Sequence, residues 1–553
     1  MNKQTKQALV GRQKQPLPRG DIWNFAKWFV ISPLSESAVR GRAPWRKGIS
    51  GGQDITSKHN SMKDKTFKQP KGLDRRTFIR NAGVLAAGVT IVPSTVVSGL
   101  GHVAPSDKLN IAGIGVGGMG RINLRNITGQ QVVALCDVDW KYAANCFKDY
   151  PDAQKFTDYR RMFDRMGKDI DAVVISTPDH THYVSAAAAM QLGKHVYLQK
   201  PLTHSVYESR LLTELAAKTG VATQMGNQGN SGEGIRLVCE WIWNNEIGPV
   251  QEVHAWTNRP IWPQGLERPT ETPSTPPTLD WDLFIGPAPW RPYHPAYTPW
   301  NWRAWWDFGT GALGDMGCHI IDPVYKALEL GYPSAFEGSS TQVNTESAPM
   351  AERVTYYFPA RPKKHNVEMP AVTFTWYDGG LLPDRPAGIP DGRILGDQDG
   401  GAMFVGTKGV IICGTYGRNP YVLGRENDPP KAPQLLRRVE TNHEMDWVRA
   451  CKEDAGNRTE ASSNFAYAGP LNEVVVMGNL AVRLQDLKRK LEWDAKAMRV
   501  KNISDTDEIR VVTSDKFTVI DGHPHFDTKY ETINAKAAAE SYIKRPYRNG
   551  WKY

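Results

Sequence analysis

The chain has 553 residues, of which 40% are hydrophobic and 10% aromatic, a length and composition that predict two folded domains with additional segments. The formal net charge is +10, but residues 1–104 carry 18 Lys and Arg against 5 Asp and Glu, which leaves −3 for residues 105–553. A slightly acidic body argues against nucleic acid as a partner. The six cysteines show no CxxC spacing, which argues against a zinc ribbon and against a disulfide framework.

Residues 62–104 have the pattern of an export signal. Arg75 and Arg76 are followed by Phe78 and by a mildly apolar run that ends in small residues. This pattern resembles a twin-arginine signal, so the sequence predicts export to the periplasm and a partner in the export machinery for such signals. A stable membrane span is not expected, because residues 81–100 contain a proline, glycines and several hydroxyl side chains.

Residues 1–61 show no periodic pattern. Met62 begins a leader of normal length, so residues 1–61 are predicted to be either an unstructured leader or an untranslated stretch upstream of the true start. Cleavage is expected between Ser98 and Ala104. A protein that folds before export keeps its thiols reduced, which agrees with scattered cysteines in a core.

A glycine-rich loop opens the first folded domain. After an apolar strand, Gly115, Gly117 and Gly120 form G-x-G-x-x-G, with Gly118 and Met119 between them, and a helical pattern follows. The first glycine permits a tight turn, the second lets backbone amides approach a pyrophosphate, and the third lets the helix pack on the strand. These five residues are therefore candidates for cofactor binding.

An acidic residue follows at the position that dinucleotide binding requires. The second strand, VVALCDVD, reaches Asp137, 17 residues after Gly120. Asp137 alone is equally well interpreted as a turn residue at a strand end. The order of strand, glycines, helix, strand and acid predicts that it accepts hydrogen bonds from an adenosine ribose. Its charge would repel a 2′-phosphate, which favours NAD over NADP.

Strands and helices continue to alternate to the end of residues 105–226, so this segment is predicted to be a Rossmann domain with a doubly wound parallel sheet. Ligands of such sheets bind at the carboxyl ends of the strands. Each polar residue there is individually more often a turn residue, but their shared placement makes them candidates. Those for the cofactor are Thr177, Pro178, His180, His182 and Lys200, and those for the substrate are Asn227 and Gln228.

Residues 227–490 change in pattern and predict an α+β domain. The segments ERVTYYFP, AVTFTWYD and GAMFVGTKGVIICG alternate apolar and polar residues, as in an open, mostly antiparallel sheet, with Val372, Phe374 and Trp376 on one face. Amphipathic helices are predicted near residues 444–452 and 470–485. Residues 491–553 form a tail with little pattern.

Eight of the 18 tryptophans lie between Trp256 and Trp306. Tryptophan rings stack on the C–H faces of sugars, and their N–H groups donate to hydroxyls. Trp302, Trp305 and Trp306 are therefore candidates for substrate binding. Packing within their own domain explains each of them equally well.

The segment GALGDMGCHIID places Asp315 and His319 on one face if it is helical from Asp315. A zinc site would need two further ligands that no motif supplies, so no metal is predicted. Capping is a second interpretation: Asp315 follows Gly314, and Asp322 before Pro323 fits an N-cap and the first position of a second helix. For Asp322 we adopt capping; for Asp315 and His319 a catalytic pair remains open.

Residues from about Lys108 to Gln485 resemble the Gfo/Idh/MocA family, which includes glucose-fructose oxidoreductase and inositol dehydrogenase. The resemblance rests on the glycine loop, CDVD, STPDHTH, QKP and GDMGCHIID. It implies a bound NAD, a dimer or tetramer formed through the open sheet, and catalytic roles for Lys200, Asp315 and His319. In these roles His319 takes the hydroxyl proton, Lys200 stabilises the alkoxide, and Asp315 holds a hydroxyl or orients His319.

One position departs from the family pattern. Gln199 stands where the family usually has glutamate, so a negative neighbour of Lys200 is missing. We expect Lys200 to hold its proton less tightly as a result. Comparing the pH–rate profile of Gln199→Glu with that of the parent tests this hypothesis.

The resemblance implies an oxidoreductase that transfers hydride from a carbinol of a sugar or sugar derivative to tightly bound NAD. An exported enzyme would have to carry its cofactor with it and regenerate it in place. A redox-neutral glycoside hydrolase that acts through a transient keto-sugar meets the same requirement. A non-catalytic sugar-binding protein is the alternative from another class; it would keep its ligand affinity in Lys200→Met, whereas an enzyme would lose turnover.

Overall fold

The computed structural model describes residues 107–553. The twin-arginine segment, Met62 and the expected cleavage site lie outside the described residues. Within the described part of the chain, no helix is long and apolar enough to cross a membrane.

Strands and α-helices alternate in the first domain. The strands are β1 (Asn110–Ile114), β2 (Gln131–Cys136), β3 (Gln154–Phe156), β4 (Ala172–Ile175), β5 (His195–Leu198) and β6 (Thr223–Met225). The helices are α1 (Met119–Asn126), α2 (Trp140–Asp149), α3 (Tyr159–Met166), α4 (His182–Gln191) and α5 (Val206–Thr219).

These strands form one six-stranded sheet in the order β3-β2-β1-β4-β5-β6, and every pairing in it is parallel. The predicted doubly wound parallel sheet is confirmed. The strand order reverses between β1 and β4, so the loops that follow these two strands diverge and leave a crevice at their carboxyl ends. Gly115 and Ser176, which directly follow β1 and β4, lie on the two sides of this crevice.

Local sequence fixes where several of these helices begin. Asp139 caps α2 by accepting from the backbone N–H groups of Lys141 and Tyr142. Ser205 and Glu208 form a reciprocal capping box at the start of α5. Each cap satisfies backbone donors that the helix itself cannot, and so places the loop before the helix.

The second domain is built on a larger sheet. Its strands are β7 (Val250–Thr257), β8 (Ala335–Ser340), β9 (Glu352–Phe358), β12 (Val372–Tyr377), β13 (Gly400–Gly406), β14 (Val410–Gly414), β15 (Tyr421–Val422), β16 (Leu491–Asp494) and β17 (Arg499–Val500). A separate small hairpin is formed by β10 (Arg361–Lys364) and β11 (Val367–Met369). The helices are α6 (Glu233–Trp243), α7 (Trp281–Ile285), α8 (Gly311–Leu328), α9 (His443–Cys451) and α10 (Phe465–Arg483).

The large sheet has nine strands in the order β15-β14-β13-β7-β12-β9-β8-β16-β17. Only the β7–β12 pairing is parallel, and the others are antiparallel. The predicted open, mostly antiparallel sheet is confirmed. Val372, Phe374 and Trp376 are all buried, as expected for residues that alternate along β12.

Residues 491–553, which show little pattern in the sequence, contain regular structure. β16 and β17 extend the large sheet next to β8. The strands β18 (Glu508–Ile520) and β19 (His523–Asn534) form a long antiparallel hairpin, and helix α11 (Ala535–Ile543) follows.

Helix α8 corrects both capping predictions. It begins at Gly311 after Thr310 and continues without a break to Leu328, so Asp315 lies in its second turn. Asp322 and Pro323 are also inside this helix and do not begin a second one. Pro323 has no N–H to donate to the His319 carbonyl, but the helix continues because its buried surroundings outweigh that lost bond.

All six cysteines are buried and unpaired, as expected for scattered core cysteines.

Candidate active site

The glycine-rich loop joins β1 to α1. Gly115 has φ +76° and a Cβ at Gly120 would lie 2.1 Å from the Gly115 carbonyl oxygen, so the tight turn and the close packing of the helix both require glycine. A Cβ at Gly117 would lie 2.1 Å from a ring carbon of Tyr142. Gly118, at the N-cap of α1, offers no side-chain cap, so the amides of the first turn at Met119 are available to an anion.

Asp137 reaches this loop from the end of β2. Its Oδ2 accepts the N–H groups of Val116 at 2.7 Å and Gly117 at 3.0 Å, and its Oδ1 accepts that of Asp139 at 2.9 Å. Burial raises the pKa of Asp137 to about 6, although these hydrogen bonds favour the charged form. A carboxylate oxygen has more than one lone pair, so Asp137 can also accept from a ribose hydroxyl.

Thr177 and Pro178 follow β4 on the other side of the loop. The Thr177 methyl group lies 2.8 Å from where a Cβ of Gly115 would be, and its Oγ1 is buried without a partner. An unpaired buried hydroxyl beside a glycine-rich loop fits a polar group of a dinucleotide. The residues present therefore fit NAD, with the loop amides for its pyrophosphate and Asp137 for its ribose.

The two predicted histidines have different surroundings from those expected. Both nitrogens of His180 face backbone carbonyls, those of Phe308 at 3.2 Å and Phe284 at 2.9 Å. His182 likewise bridges the carbonyls of Pro201 at 2.7 Å and Thr177 at 2.8 Å. Neither ring has a nitrogen left for a cofactor; His182 instead ties together the loops that follow β4 and β5.

The loop after β5 carries Lys200 and is held from both domains. His182 binds the Pro201 carbonyl, and Asn472 of α10 accepts the Leu202 N–H at 2.9 Å. The Asn472 amide also donates to the Thr203 carbonyl at 3.1 Å. These contacts fix the backbone from which the Lys200 side chain extends.

Lys200 meets Asp315 across the domain boundary. Its Nζ donates to Asp315 Oδ1 at 2.9 Å and to the Asp315 backbone carbonyl at 2.7 Å. Arg303 Nε donates to the same Oδ1 at 3.0 Å. Burial by itself would raise the pKa of Asp315, but the charges of Lys200 and Arg303 outweigh burial and hold it below its usual range.

His319 lies one helical turn beyond Asp315, so both side chains project from the same face of α8. It is 3% exposed, and its Nδ1 has no hydrogen-bond partner. Its ring centre is 4.5 Å from that of Tyr416. Burial, followed by the charge of Lys200, lowers the pKa of His319 well below its ordinary value, so the imidazole is neutral and can accept a proton.

A further carboxyl lies near this group. Asp179, in the turn after β4, accepts from Thr310 Oγ1 at 2.7 Å, directly before α8. Burial raises the pKa of Asp179 to about 7, while Thr310 and the charge of Arg303 act in the opposite direction. Asp179 is therefore partly protonated near neutral pH and is able both to donate and to accept.

The Gln199 side chain bonds to the backbone of Lys200 and to Asn123, since its Oε1 accepts the Lys200 N–H at 3.4 Å. Its Nε2 donates to Asn123 Oδ1 at 2.9 Å, and the Asn123 amide donates to Glu444 Oε1 at 2.7 Å. All three side chains are buried. The negative neighbour of the Lys200 side chain is Asp315. The carboxylate in the hydrogen-bonded row that begins at Gln199 is that of Glu444 in α9.

Asn227 and Asp322 belong to a polar cluster beneath the site. Asp322 accepts from the amides of Asn227 at 2.9 Å and Asn230 at 2.8 Å, and from the hydroxyl of Tyr467 at 2.5 Å. Asn227 Oδ1 is buried without a partner, and Gln228, which begins the next turn, is half-buried. These contacts explain why Asp322 is inside the helix: its side chain binds the segment that follows β6 and helix α10, and does not cap its own backbone.

The predicted tryptophans divide into two groups. Trp305 and Trp306 donate their indole N–H groups to backbone carbonyls of Ala296 at 3.0 Å and Asn344 at 3.3 Å, and both are buried. They pack within their own domain. Trp302 lies against Arg303, with the guanidinium carbon 4.3 Å from its ring centre, and so borders the Lys200–Asp315 pair.

The structure adds residues that the sequence reasoning did not single out, namely Arg303, Asp179, Thr310 and Tyr416. For Arg303, its place in WNWRAWW between candidate tryptophans was a usable signal. Among residues 107–553, no three His, Cys, Asp or Glu side chains are grouped so that they could hold a metal ion.

Comparison with known proteins gives two family matches. Residues 109–227 match the Gfo/Idh/MocA oxidoreductase family, NAD-binding Rossmann fold, and residues 250–360 match its C-terminal alpha/beta domain. A Glycosyl hydrolase family 109 protein of Shewanella pealeana is 28% identical over 204 residues, which are 32% of this chain and 44% of that protein. Inositol 2-dehydrogenase of Salmonella typhimurium is 28% identical over 147 residues, 26% of this chain and 43% of that protein. The chain spans less than half the length of the curated relatives it matches.

Among solved structures, the WlbA dehydrogenase from Bordetella pertussis, in complex with NADH and UDP-GlcNAcA, aligns with a TM-score of 0.46 at 14% identity, over 70% of this chain and 99% of that chain. Aldose-aldose oxidoreductase from Caulobacter crescentus aligns with a TM-score of 0.46 at 15% identity, over 70% of this chain and 100% of that chain. The two matched segments coincide with the parallel-sheet domain and with the first part of the large-sheet domain. The chain therefore carries an NAD-binding Rossmann domain and a C-terminal alpha/beta domain of the Gfo/Idh/MocA oxidoreductase family.

Proposed function

We propose that the protein is an NAD-dependent oxidoreductase that acts on a carbinol of a sugar or sugar derivative. The observation that carries the proposal is the contact between Lys200 of the Rossmann domain and Asp315 of α8, with the neutral His319 one turn away. This arrangement supports the proposal, because it brings a base and a cation together next to the loop that follows β5, at the sheet edge where ligands of parallel sheets bind.

NAD, when bound, supplies the acceptor for the hydride of the carbinol carbon. His319 accepts the hydroxyl proton, since its imidazole is neutral and its Nδ1 is unpaired. The Lys200 ammonium stabilises the negative charge that develops on the oxygen. Asp315 holds Lys200 in place through its side chain and its backbone carbonyl.

A redox-neutral glycoside hydrolase is the second candidate. The glycosyl hydrolase family 109 relatives, at 27 to 28% identity, support it. In that reaction the same residues act twice: His319 accepts a proton from the hydroxyl and returns it after the glycosidic bond has been broken and water has been added. No net reduction of the cofactor accompanies turnover.

The leader supports the proposal that the protein is exported through the twin-arginine machinery with its cofactor already bound. Replacing Arg75 and Arg76 by lysine should leave the protein in the cytoplasmic fraction. Recovery of the double variant in the periplasm would contradict export by this route. We also propose a dimer or tetramer, on the resemblance to the family alone.

The test begins with the purified protein, which is denatured so that the supernatant can be assayed for dinucleotide. Sugars and glycosides are then added to the native protein while the absorbance of reduced nicotinamide is followed. Lasting reduction by a free sugar indicates the dehydrogenase, and release of an aglycone without net reduction indicates the hydrolase.

The matched variants are Lys200→Met and Lys218→Met, which remove a site lysine and an exposed lysine of α5. Lys200→Met should lower turnover about 10²- to 10⁴-fold, because it removes the charge that stabilises the alkoxide. Lys218→Met should match the parent. A Lys200→Met protein with full turnover would contradict the proposed function. If the parent shows no redox activity and Lys200→Met binds the ligand as tightly as the parent, the result favours a sugar-binding protein.

A further inference from the structure

We propose that the substrate of this site carries an acidic group, a carboxylate or a phosphate, and that Arg303 binds it. The inference rests on the proposed function, because it names the substrate class of the same site.

Arg303 is held rigidly beside the Asp315 carboxylate. Its guanidinium carbon lies 3.9 Å from the ring centre of Trp300 and 4.3 Å from that of Trp302. Its Nε donates to Asp315 at 3.0 Å and its Nη1 to the Trp300 carbonyl at 3.1 Å. A guanidinium fixed in this way has already lost the conformational entropy that binding would otherwise cost.

The guanidinium keeps unused donors. An arginine has five N–H groups, and no acceptor within residues 107–553 is bonded to the Nη2 of Arg303. The side chain is 16% exposed, so this group is open to a ligand. A planar pair of N–H groups matches the two oxygens of a carboxylate or a phosphate.

The charges around Asp315 do not balance. Lys200 and Arg303 share one oxygen of this single carboxylate. Asp179 nearby supplies only part of a second negative charge, because its carboxyl is partly protonated at neutral pH. A partly buried excess of positive charge is costly unless an anion pairs with it, and a substrate acid group would do so.

A second cation lies on the His319 side of the site. Arg418 stacks on Tyr416, with its guanidinium carbon 4.5 Å from the ring centre, and Tyr416 in turn contacts His319. Arg418 is exposed and has no carboxylate partner among the described residues. Its charge acts on His319 and adds to the positive field around this residue.

The position of Arg303 favours the substrate over the cofactor as the source of the anion. Arg303 is bonded to Asp315 on the face of α8 that also carries His319, where the reacting hydroxyl would lie. The pyrophosphate has its own donors in the glycine loop, at the uncapped start of α1.

The full-length protein is titrated, in the presence of NAD, with glucuronate, galacturonate and glucose 6-phosphate and with the neutral parents glucose and galactose. Tryptophan fluorescence reports binding without requiring turnover, because Trp300 and Trp302 flank Arg303. At least one acid should bind about 10- to 100-fold more tightly than its neutral parent. Comparing uronates with the sugar phosphate identifies the anion.

Arg303→Gln should abolish this preference, and Arg303→Lys should retain part of it. Arg393→Gln is the matched control, since Arg393 also stacks on a ring, that of Tyr421 at 4.3 Å, but outside the site. Equal affinity for acids and neutral sugars in the parent would overturn the proposal. The proposal would also be overturned if Arg303→Gln lost affinity for NAD but kept the preference for acids. That result would mean that Arg303 binds the cofactor and not the substrate.

Failure of the proposed function gives a different result. If acidic sugars and acidic glycosides bind through Arg303, but the sugars do not reduce bound NAD and the glycosides release no aglycone, the anion site stands and the oxidoreductase assignment is wrong.

Discussion

Replacing Gln199 by glutamate tests the buried row that runs from Gln199 through Asn123 to Glu444. Glu444 accepts from the Asn123 amide at 2.7 Å, which turns Asn123 Oδ1 towards position 199. Gln199 meets this acceptor with an N–H group at 2.9 Å. A carboxylate at position 199 would place acceptor against acceptor.

The expected cost follows from this geometry. Gln199 is 5% exposed, and its amide packs against Gly226, where a Cβ would lie 2.5 Å from the amide nitrogen, so a carboxylate at position 199 would also be buried. Leaving a buried acceptor unpaired costs about 1 to 3 kcal/mol, and more when it is charged. We expect Gln199→Glu to lower the free energy of unfolding by at least about 2 kcal/mol at neutral pH.

The cost should depend on pH. A protonated carboxyl at position 199 can donate to Asn123, so the folded protein raises its pKa above the unfolded value. The stability of Gln199→Glu should therefore be closest to the parent in acid, and the deficit should grow as the pH rises. Urea unfolding at about pH 5 and about pH 8 measures both proteins.

The matched control is the double variant Gln199→Glu with Glu444→Gln. An amide at position 444 can donate to Asn123, which can then turn its own amide towards position 199. The double variant should recover most of the lost stability. If Gln199→Glu is as stable as the parent at both pH values, or if Glu444→Gln brings no recovery, the reasoning about this row is refuted.

Two further predictions concern other parts of the molecule. Glu352 and Asp378 are a buried carboxyl pair, and burial raises the pKa of Asp378 to about 7 and that of Glu352 above its usual range. Because folding favours their protonated forms, this contribution to stability is complete in acid and is lost as the pH rises through about 7. In urea unfolding, the free energy of unfolding of Asp378→Asn should therefore decline less with rising pH than that of the parent. Equal declines in the two proteins would contradict this. In the glycine loop, Gly120→Ala would place a methyl group 2.1 Å from the Gly115 carbonyl oxygen, and it should abolish NAD binding as measured by equilibrium dialysis. Gly456→Ala is the control: its methyl group would meet no atom within 4 Å, so this variant should bind NAD as the parent does.

Several features were determined by the sequence alone. The parallel sheet, the glycine loop and the acid after β2 follow from local periodicity and from the order of a few motifs. The shared face of Asp315 and His319 follows from their spacing once the segment is helical. These features depend on residues that are close in the chain, so a reading of neighbouring residues is sufficient to predict them.

Only the tertiary structure decided which partners the polar side chains have. Arg303 donates to Asp315, and Gln199 donates to Asn123. Asp322 accepts from Asn227. It therefore lies inside helix α8, although the sequence predicted that it would cap the start of a second helix. Trp305 and Trp306 are buried in their own domain for the same kind of reason. The sequence lists the donors and acceptors, but their pairing is set by which elements pack together, because a buried polar group must bind whatever the fold places beside it.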